Sequence, residues 1–243
     1  MRNWTGKKYW LVGAGDGLGA ALAHKMSRAG AHVIVSARSE EKLRALVEEL
    51  PNEASYQTVD VADDASVVAA AEAVGQLDGV VFLAGVYWPF GAQEWNAEQA
   101  NAMADINFTG LVRVMGRVVP QFVTRNSGHI VITGSLSGFR GLPGSIGYTA
   151  SKAGTLSLAE CMYADLRQTG VDVQVANPGF IKTQLTAKND FRMPFLMTPE
   201  EAADHMFRHM ETKRFKKSYP GLFSLLFRGS QFLPDWLYYR IFT

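Results

Sequence analysis

Short apolar runs recur along the chain, and most are followed by a stretch whose apolar positions repeat every three or four residues. Residues 9–13 (YWLVG) read as a buried strand, and a helix with apolar spacing follows over 18–26. Residues 32–36 (HVIVS) read as a second strand, with Ser39 as the cap of a helix over 42–50. A third strand is expected at 56–59, a helix at 66–74 and a fourth strand at 79–83 (GVVFL). Two longer helical patterns cover about 97–107 and 109–125, and residues 129–133 (HIVIT) form the fifth strand. A helix over about 148–167, a sixth strand at 171–176 and a helix opened by Thr198-Pro199-Glu200-Glu201 complete the pattern.

Strand and helix therefore alternate for about 210 residues. Such alternation requires parallel strands joined by right-handed crossovers, so the expected fold is a single α/β domain built on a doubly wound parallel sheet with helices on both faces. Ligands of such sheets bind beyond the carboxyl ends of the strands. The unusual residues of this chain lie there.

Composition narrows the picture. Of 243 residues, 47% are hydrophobic and 19% charged, which excludes disorder and allows a sizeable core. A single cysteine, Cys161, excludes a disulfide framework and reads as mid-helix packing. One cysteine and five histidines offer no larger ligand cluster, so no metal is expected. A net charge of +1 argues against nucleic acid as a partner. Residues 1–8 lead directly into the first strand, which predicts no signal peptide, and no apolar run approaches the ~20 residues of a spanning helix.

After the first strand stands Gly13-Ala14-Gly15-Asp16-Gly17-Leu18-Gly19. Glycines here fit a tight turn whose backbone approaches a pyrophosphate at a helix N-terminus, where free N–H groups favour negative charge. After the second strand, where an acid commonly meets a ribose 2′-hydroxyl, stand Ala37 and Arg38. A guanidinium suits a 2′-phosphate, so NADP(H) is the preferred cofactor. Asp16 pulls the other way, since a carboxylate would repel that phosphate or bind a hydroxyl, and NAD(H) stays open.

The most specific pattern is Tyr148-Thr-Ala-Ser-Lys152, with Ser135 thirteen residues earlier. Tyr148 and Lys152 share one helix face, and an ammonium beside a phenol favours its ionised form. Here the chain resembles the short-chain dehydrogenase/reductase family, up to about residue 212. The glycine loop is similar to that family's Gly-xxx-Gly-x-Gly, Asp60 to its adenine-side aspartate, and Asn107 to its helix asparagine. Asn177-Pro178-Gly179-Phe180-Ile181-Lys182-Thr183 is similar to its turn beside the nicotinamide. Leu83, before Ala84-Gly85, and Val12 depart from the family's usual asparagine and threonine.

The resemblance implies a Rossmann-fold oxidoreductase that interconverts a ketone or aldehyde and an alcohol. Tyr148 would be the general acid/base, Lys152 would lower its pKa and bind the nicotinamide ribose, and Ser135 would hold the substrate oxygen. Asn107 would position a water in a proton relay. Cofactor contacts are expected from Gly13, Gly15, Asp16, Gly17, Leu18, Gly19, Arg38, Asp60, Val61, Ala84, Gly85, Asn107, Tyr148, Lys152, Pro178, Gly179, Ile181 and Thr183, and substrate contacts from Ser135, Tyr148 and Phe180. A homodimer or homotetramer is implied as well. A cofactor-binding sensor or scaffold without turnover is the alternative.

The substrate side is expected along residues 184–197, rich in Phe and Met, with Trp88, Phe90 and Trp95 as the opposite wall and an apolar substrate between them. Residues 213–243 read as a separate extension of the domain over 1–212. The extension holds nine of the chain's 27 aromatics and a charge of +5, against −4 for the rest. Two readings stand: an arm packed on this subunit or a partner, or a peripheral contact with a membrane surface. A cytoplasmic location is expected, with peripheral membrane association left open.

Overall fold

The computed structural model describes residues 2–242. Its elements are β1 (Lys8–Val12), α1 (Gly17–Arg28), β2 (His32–Ser36), α2 (Glu40–Glu49), β3 (Ala54–Tyr56), α3 (Asp64–Val74) and β4 (Gly79–Phe82). Then come α4 (Ala97–Ala104), α5 (Gly110–Thr124), β5 (Gly128–Thr133), α6 (Ile146–Leu166), β6 (Val171–Pro178) and α7 (Pro199–Met210). The chain ends with β7 (Lys216–Tyr219), α8 (Gly221–Ser230) and α9 (Asp235–Phe242).

The strands form one parallel sheet in the order β3-β2-β1-β4-β5-β6-β7. Side chains alternate across a strand, and both faces of β1 are apolar for that reason. Trp10 and Val12 face α3, α5 and α6 in one core layer. Tyr9 and Leu11 face α1 and α7 in the other, against Leu22, Met26, Met206 and Met210. The order of connection reverses between β1 and β4, and the crevice at their carboxyl ends is the expected ligand position.

Several elements differ from the sequence reading. The third strand lies two residues earlier, at Ala54–Tyr56. The helices expected over 97–107 and 109–125 run on without a break, joined by a π turn over Asp105–Thr109. Cys161 is exposed rather than packed, because α6 buries the face of Leu156 and Ala159, and Cys161 falls about 200° around the helix from Ala159. The division at residue 212 set Lys216–Tyr219 outside the domain, yet they form the seventh strand, with Val175 opposite Lys216 and Pro178 opposite Tyr219. Their lysines carried no apolar strand signal, since an edge strand needs only one buried face. Among the described residues, no helix is long and apolar enough to cross a membrane.

Candidate active site

The turn after β1 is built around two close approaches. Gly13 has φ +93°, and a Cβ there would collide with the backbone nitrogen of Ala84. A Cβ on Gly19 would collide with the Gly13 carbonyl. Bare backbone at both positions lets the N-terminus of α1 sit directly against the ends of β1 and β4. The amides of Gly13 and Ala14 donate to the Ser36 carbonyl at 2.7 and 2.9 Å, which locks the turn to β2. Asp16 is the N-cap of α1, but its side chain makes no capping bond. Its carboxylate instead accepts from Lys42 at 2.8 Å. The first-turn amides of α1 are thus left without a side-chain acceptor, and no acid lies in that turn. This cradle fits a dinucleotide pyrophosphate.

One cleft of about 1000 Å³ joins this loop to the remaining sequence-predicted residues. Its walls include Gly13, Gly15, Asp16, Gly17, Leu18 and Gly19, then Arg38 and Lys42, then Asp60 and Val61, then Ala84 and Gly85. Ser135, Tyr148, Lys152 and the run of Pro178, Gly179, Phe180, Ile181 and Thr183 complete it. Asp60 is oriented by the Ala62 amide, which donates to its Oδ1 at 3.0 Å. Thr183 lies against the glycine loop, since a Cβ on Gly17 would come within 3.0 Å of its Cγ2. The Ile181 carbonyl accepts from Thr186 Oγ1 at 2.6 Å, which fixes the turn after β6.

Asn107 is the exception. It is fully buried and does not reach the cleft wall. Its Nδ2 donates to the Val86 carbonyl and to Ser151 Oγ, both at 3.0 Å, and its Oδ1 accepts from the Val86 amide at 2.7 Å. The side-chain amide is therefore fully engaged in tying the segment after β4 to α6. Its main-chain carbonyl accepts from Thr155 Oγ1 at 3.3 Å within the π turn.

At the centre, Ser135 follows the end of β5 and Tyr148 and Lys152 lie one turn apart on α6. Ser135 and Tyr148 both face the cleft, and the serine hydroxyl acts on the phenol so as to favour its ionised form. Lys152 Nζ donates to the Thr133 carbonyl at 2.9 Å and stands 5.8 Å from the centre of the Tyr148 ring. The expected acidification of the phenol is not seen in the protein by itself. Burial pushes Tyr148 up to about 12, opposed by the Ser135 hydroxyl and helped by the neighbouring Tyr87 phenol. Burial pushes the Lys152 ammonium down to about 8. At neutral pH the phenol thus keeps its proton and can donate it.

Two site residues escaped the sequence reading. Ser137 shares a hydrogen bond with Ser135, oxygen to oxygen at 2.8 Å, and faces the cleft. Tyr87 packs edge-on against Tyr148 at 5.1 Å between ring centres. A second serine two residues after the first was the available signal for Ser137, and nothing local marked Tyr87. Of the expected aromatic wall, Trp88 lines the cleft, with Lys188 Nζ 4.1 Å over its ring. Phe90 and Trp95 do not. They pack on each other at 6.2 Å between ring centres, outside the cleft. The apolar end is formed instead by Phe180, Phe191, Phe223, Phe227 and Phe242, the last three from α8 and α9. Arg140 holds these helices in place. It donates to the carbonyls of Ser230 and Leu233, both at 2.7 Å, pairs with Asp235, and lies 4.0 Å over the Tyr238 ring.

A glycine loop at the switch point of a parallel sheet, with serine, tyrosine and lysine on one cleft floor, defines a dinucleotide-dependent oxidoreductase. The chain matches the short chain dehydrogenase family over residues 7–193. It is 36% identical over 236 residues to an uncharacterized oxidoreductase of Myxococcus xanthus, covering 94% of this chain and 93% of that one. A crystal structure of an actinorhodin polyketide ketoreductase variant with NADPH superposes with a TM-score of 0.78 at 25% identity, covering 91% of this chain and 98% of that one. A short-chain dehydrogenase from Streptomyces avermitilis shares the fold at a TM-score of 0.85 and 22% identity, covering 98% and 96%. The chain belongs to the short-chain dehydrogenase/reductase family, whose enzymes are oxidoreductases that bind NAD(P)(H) and act on small molecules.

Proposed function

We propose that this enzyme is an NADP(H)-dependent reductase of an apolar ketone or aldehyde, with Tyr148 as general acid in reduction and general base in the reverse direction. The observation that carries the reading is the convergence of Ser135, Tyr148 and, one helical turn on, Lys152 in the cleft that also holds the glycine loop. The dinucleotide, when bound, supplies or accepts the hydride. The carbonyl oxygen of the substrate takes the place where Ser135 and Tyr148 converge, with Ser137 orienting the serine. As the carbonyl carbon gains the hydride, its oxygen takes the Tyr148 proton, and the product is an alcohol. The resulting phenolate is stabilised by the Lys152 ammonium, and the proton is replaced from the Lys152 side, where the Asn107 carbonyl and Thr155 lie.

Cofactor preference follows from charge. Arg38 and Lys42 border the end of the cleft after β2, and Lys42 neutralises Asp16 across 2.8 Å. Two cations facing one paired acid favour a 2′-phosphate over a bare hydroxyl. The five phenylalanines at the other end favour an apolar substrate and keep water from the reacting atoms.

The test is turnover with a panel of apolar ketones and aldehydes, followed by loss of reduced-nicotinamide absorbance, with NADPH and NADH compared. Faster turnover with NADPH is expected. Binding of NADPH with no turnover across a broad panel would overturn the catalytic reading.

A further inference from the structure

Helix α8 turns different residues to its two sides. Phe223 and Ser230 are buried and Phe227 faces the cleft. Leu222, Leu225 and Leu226, spaced three and four residues apart, point to solvent, with Leu222 74% exposed. Phe232 in the following turn is 88% exposed, and Trp236 on α9 is 71% exposed. The apolar surface continues beyond these helices. Phe195, itself exposed, places its ring 5.6 Å from that of Phe223, and Leu196 beside it is exposed too. Single exposed apolar residues are ordinary on a folded protein, whereas a run of this extent marks a contact surface.

The charge beside this surface is one-sided. Lys213 and Lys216 are paired with Asp172 and Glu160, and Lys217 donates to the His205 carbonyl. Asp235, the acid of α9, is held by Arg140. Arg228 and Arg240 are exposed and make no ion pair among the described residues. A second copy seated here about a two-fold axis would bring like charges together. An anionic lipid surface complements the arginines and accepts the leucines and tryptophan at the same time.

We propose that α8, α9 and the segment around Phe195 dock on an anionic lipid bilayer, and that the cleft takes its apolar substrate from that side. Phe227 and Phe242 line the cleft from the same two helices that carry the outer stripe. One helix width, about 10 Å, therefore separates lipid from the cleft wall. The docking surface stands on exposure and charge alone, while the entry of substrate rests on the reductase reading above.

The test is flotation of the full chain with bound NADPH on vesicles of phosphatidylcholine, with and without phosphatidylglycerol. The protein is expected to float with the anionic vesicles and to be released by salt. Arg228→Glu and Arg240→Glu should each weaken partitioning by roughly fivefold or more. Leu222→Ser with Leu225→Ser should weaken it by roughly tenfold or more. NADPH fluorescence should be unchanged in every variant, which shows the fold and the cleft intact. Turnover of a long-chain ketone held in anionic vesicles should fall in the leucine variant, while turnover of a water-soluble ketone should not. Docking is overturned if the protein stays below both kinds of vesicle, or if light scattering shows an oligomer that the leucine variant dissociates. Equal turnover of the vesicle-held ketone by both proteins overturns entry from the lipid side. Absence of turnover with any ketone counts against the reading of the site and leaves the flotation result standing.

Discussion

The Lys152 ammonium is held by the main-chain carbonyl of Thr133, 2.9 Å away, and not by the phenol of Tyr148 on its own helix. Thr133 ends β5, two residues before Ser135. One strand end therefore places the serine and anchors the lysine, and α6 brings the tyrosine between them. Both ionisable groups are shifted by burial toward their neutral forms.

Replacing Tyr148 with Phe removes the hydroxyl proposed as proton donor and keeps the ring that packs against Tyr87. Turnover should fall by about 10²–10⁴-fold. NADPH affinity, measured by fluorescence titration, should stay within about twofold of the wild type, because the phosphate loop is untouched. A sensor without turnover would show no change in either.

Lys152 gives a stability signature. Burial lowers it from 10.5 to about 8, so the unfolded chain binds more protons across that window. Stability then rises with pH from about 8 toward 10.5, and the full cost of burying the ammonium is present below 8. Lys152→Met should raise the melting temperature at neutral pH, and the gain should shrink as the pH approaches 10.5. A pH-independent gain would contradict this assignment.

Arg38 is predicted to distinguish the cofactors. Its loss in Arg38→Ala removes a charge-assisted contact to a 2′-phosphate, worth about 1.5–3 kcal/mol. The Kd for NADPH should rise by roughly 10- to 100-fold at this scale while that for NADH is unaffected. Parallel weakening of both cofactors would mean that Arg38 acts on the fold of the loop instead.

Arg140 positions the apolar end of the cleft. Arg140→Leu removes two carbonyl bonds, the Asp235 pair and the contact with Tyr238. Stability should fall by about 2–3 kcal/mol. Amide exchange should quicken over 221–242, and KM for an apolar ketone should rise with little change in NADPH affinity. Unchanged exchange in those helices would remove Arg140 from this role.

Two histidines set the acid limit. His129 is buried between Tyr9 and Gln174, at 2.9 and 2.8 Å, and burial pushes it from 6.5 to about 3. The Gln174 amide nitrogen is surrounded by the carbonyls of His209, Thr212 and Arg214, so it is the donor end, its oxygen accepts from His129 Nε2, and Tyr9 donates to Nδ1. His209 is pushed to about 4 by the same cause. Both fold neutral, and the unfolded chain takes up protons below 6.5. Stability should be full above 6.5 and fall toward 4, by about 1 kcal/mol per pH unit for each histidine. In urea titrations across that range, His129→Gln should lower the slope by about half.

The amino-acid sequence alone determined the fold class, the glycine loop and the trio of Ser135, Tyr148 and Lys152. Those features depend on spacing along one or two neighbouring elements, where period and turn chemistry act locally. Only the tertiary structure decided where long-range partners fall. It turned the Asn107 amide onto Val86 and Ser151, gave Asp16 to Lys42, and brought Tyr87 beside Tyr148 and Ser137 beside Ser135. It also made Lys216–Tyr219 a sheet strand, because the edge of β6 supplied the hydrogen bonds that an unpatterned segment could take up. The aromatic tail was visible as composition, but which of its residues line the cleft and which face outward depended on how α8 lies against Gly179 and Phe180. That packing is set by contacts more than 40 residues apart, where local periodicity carries no information.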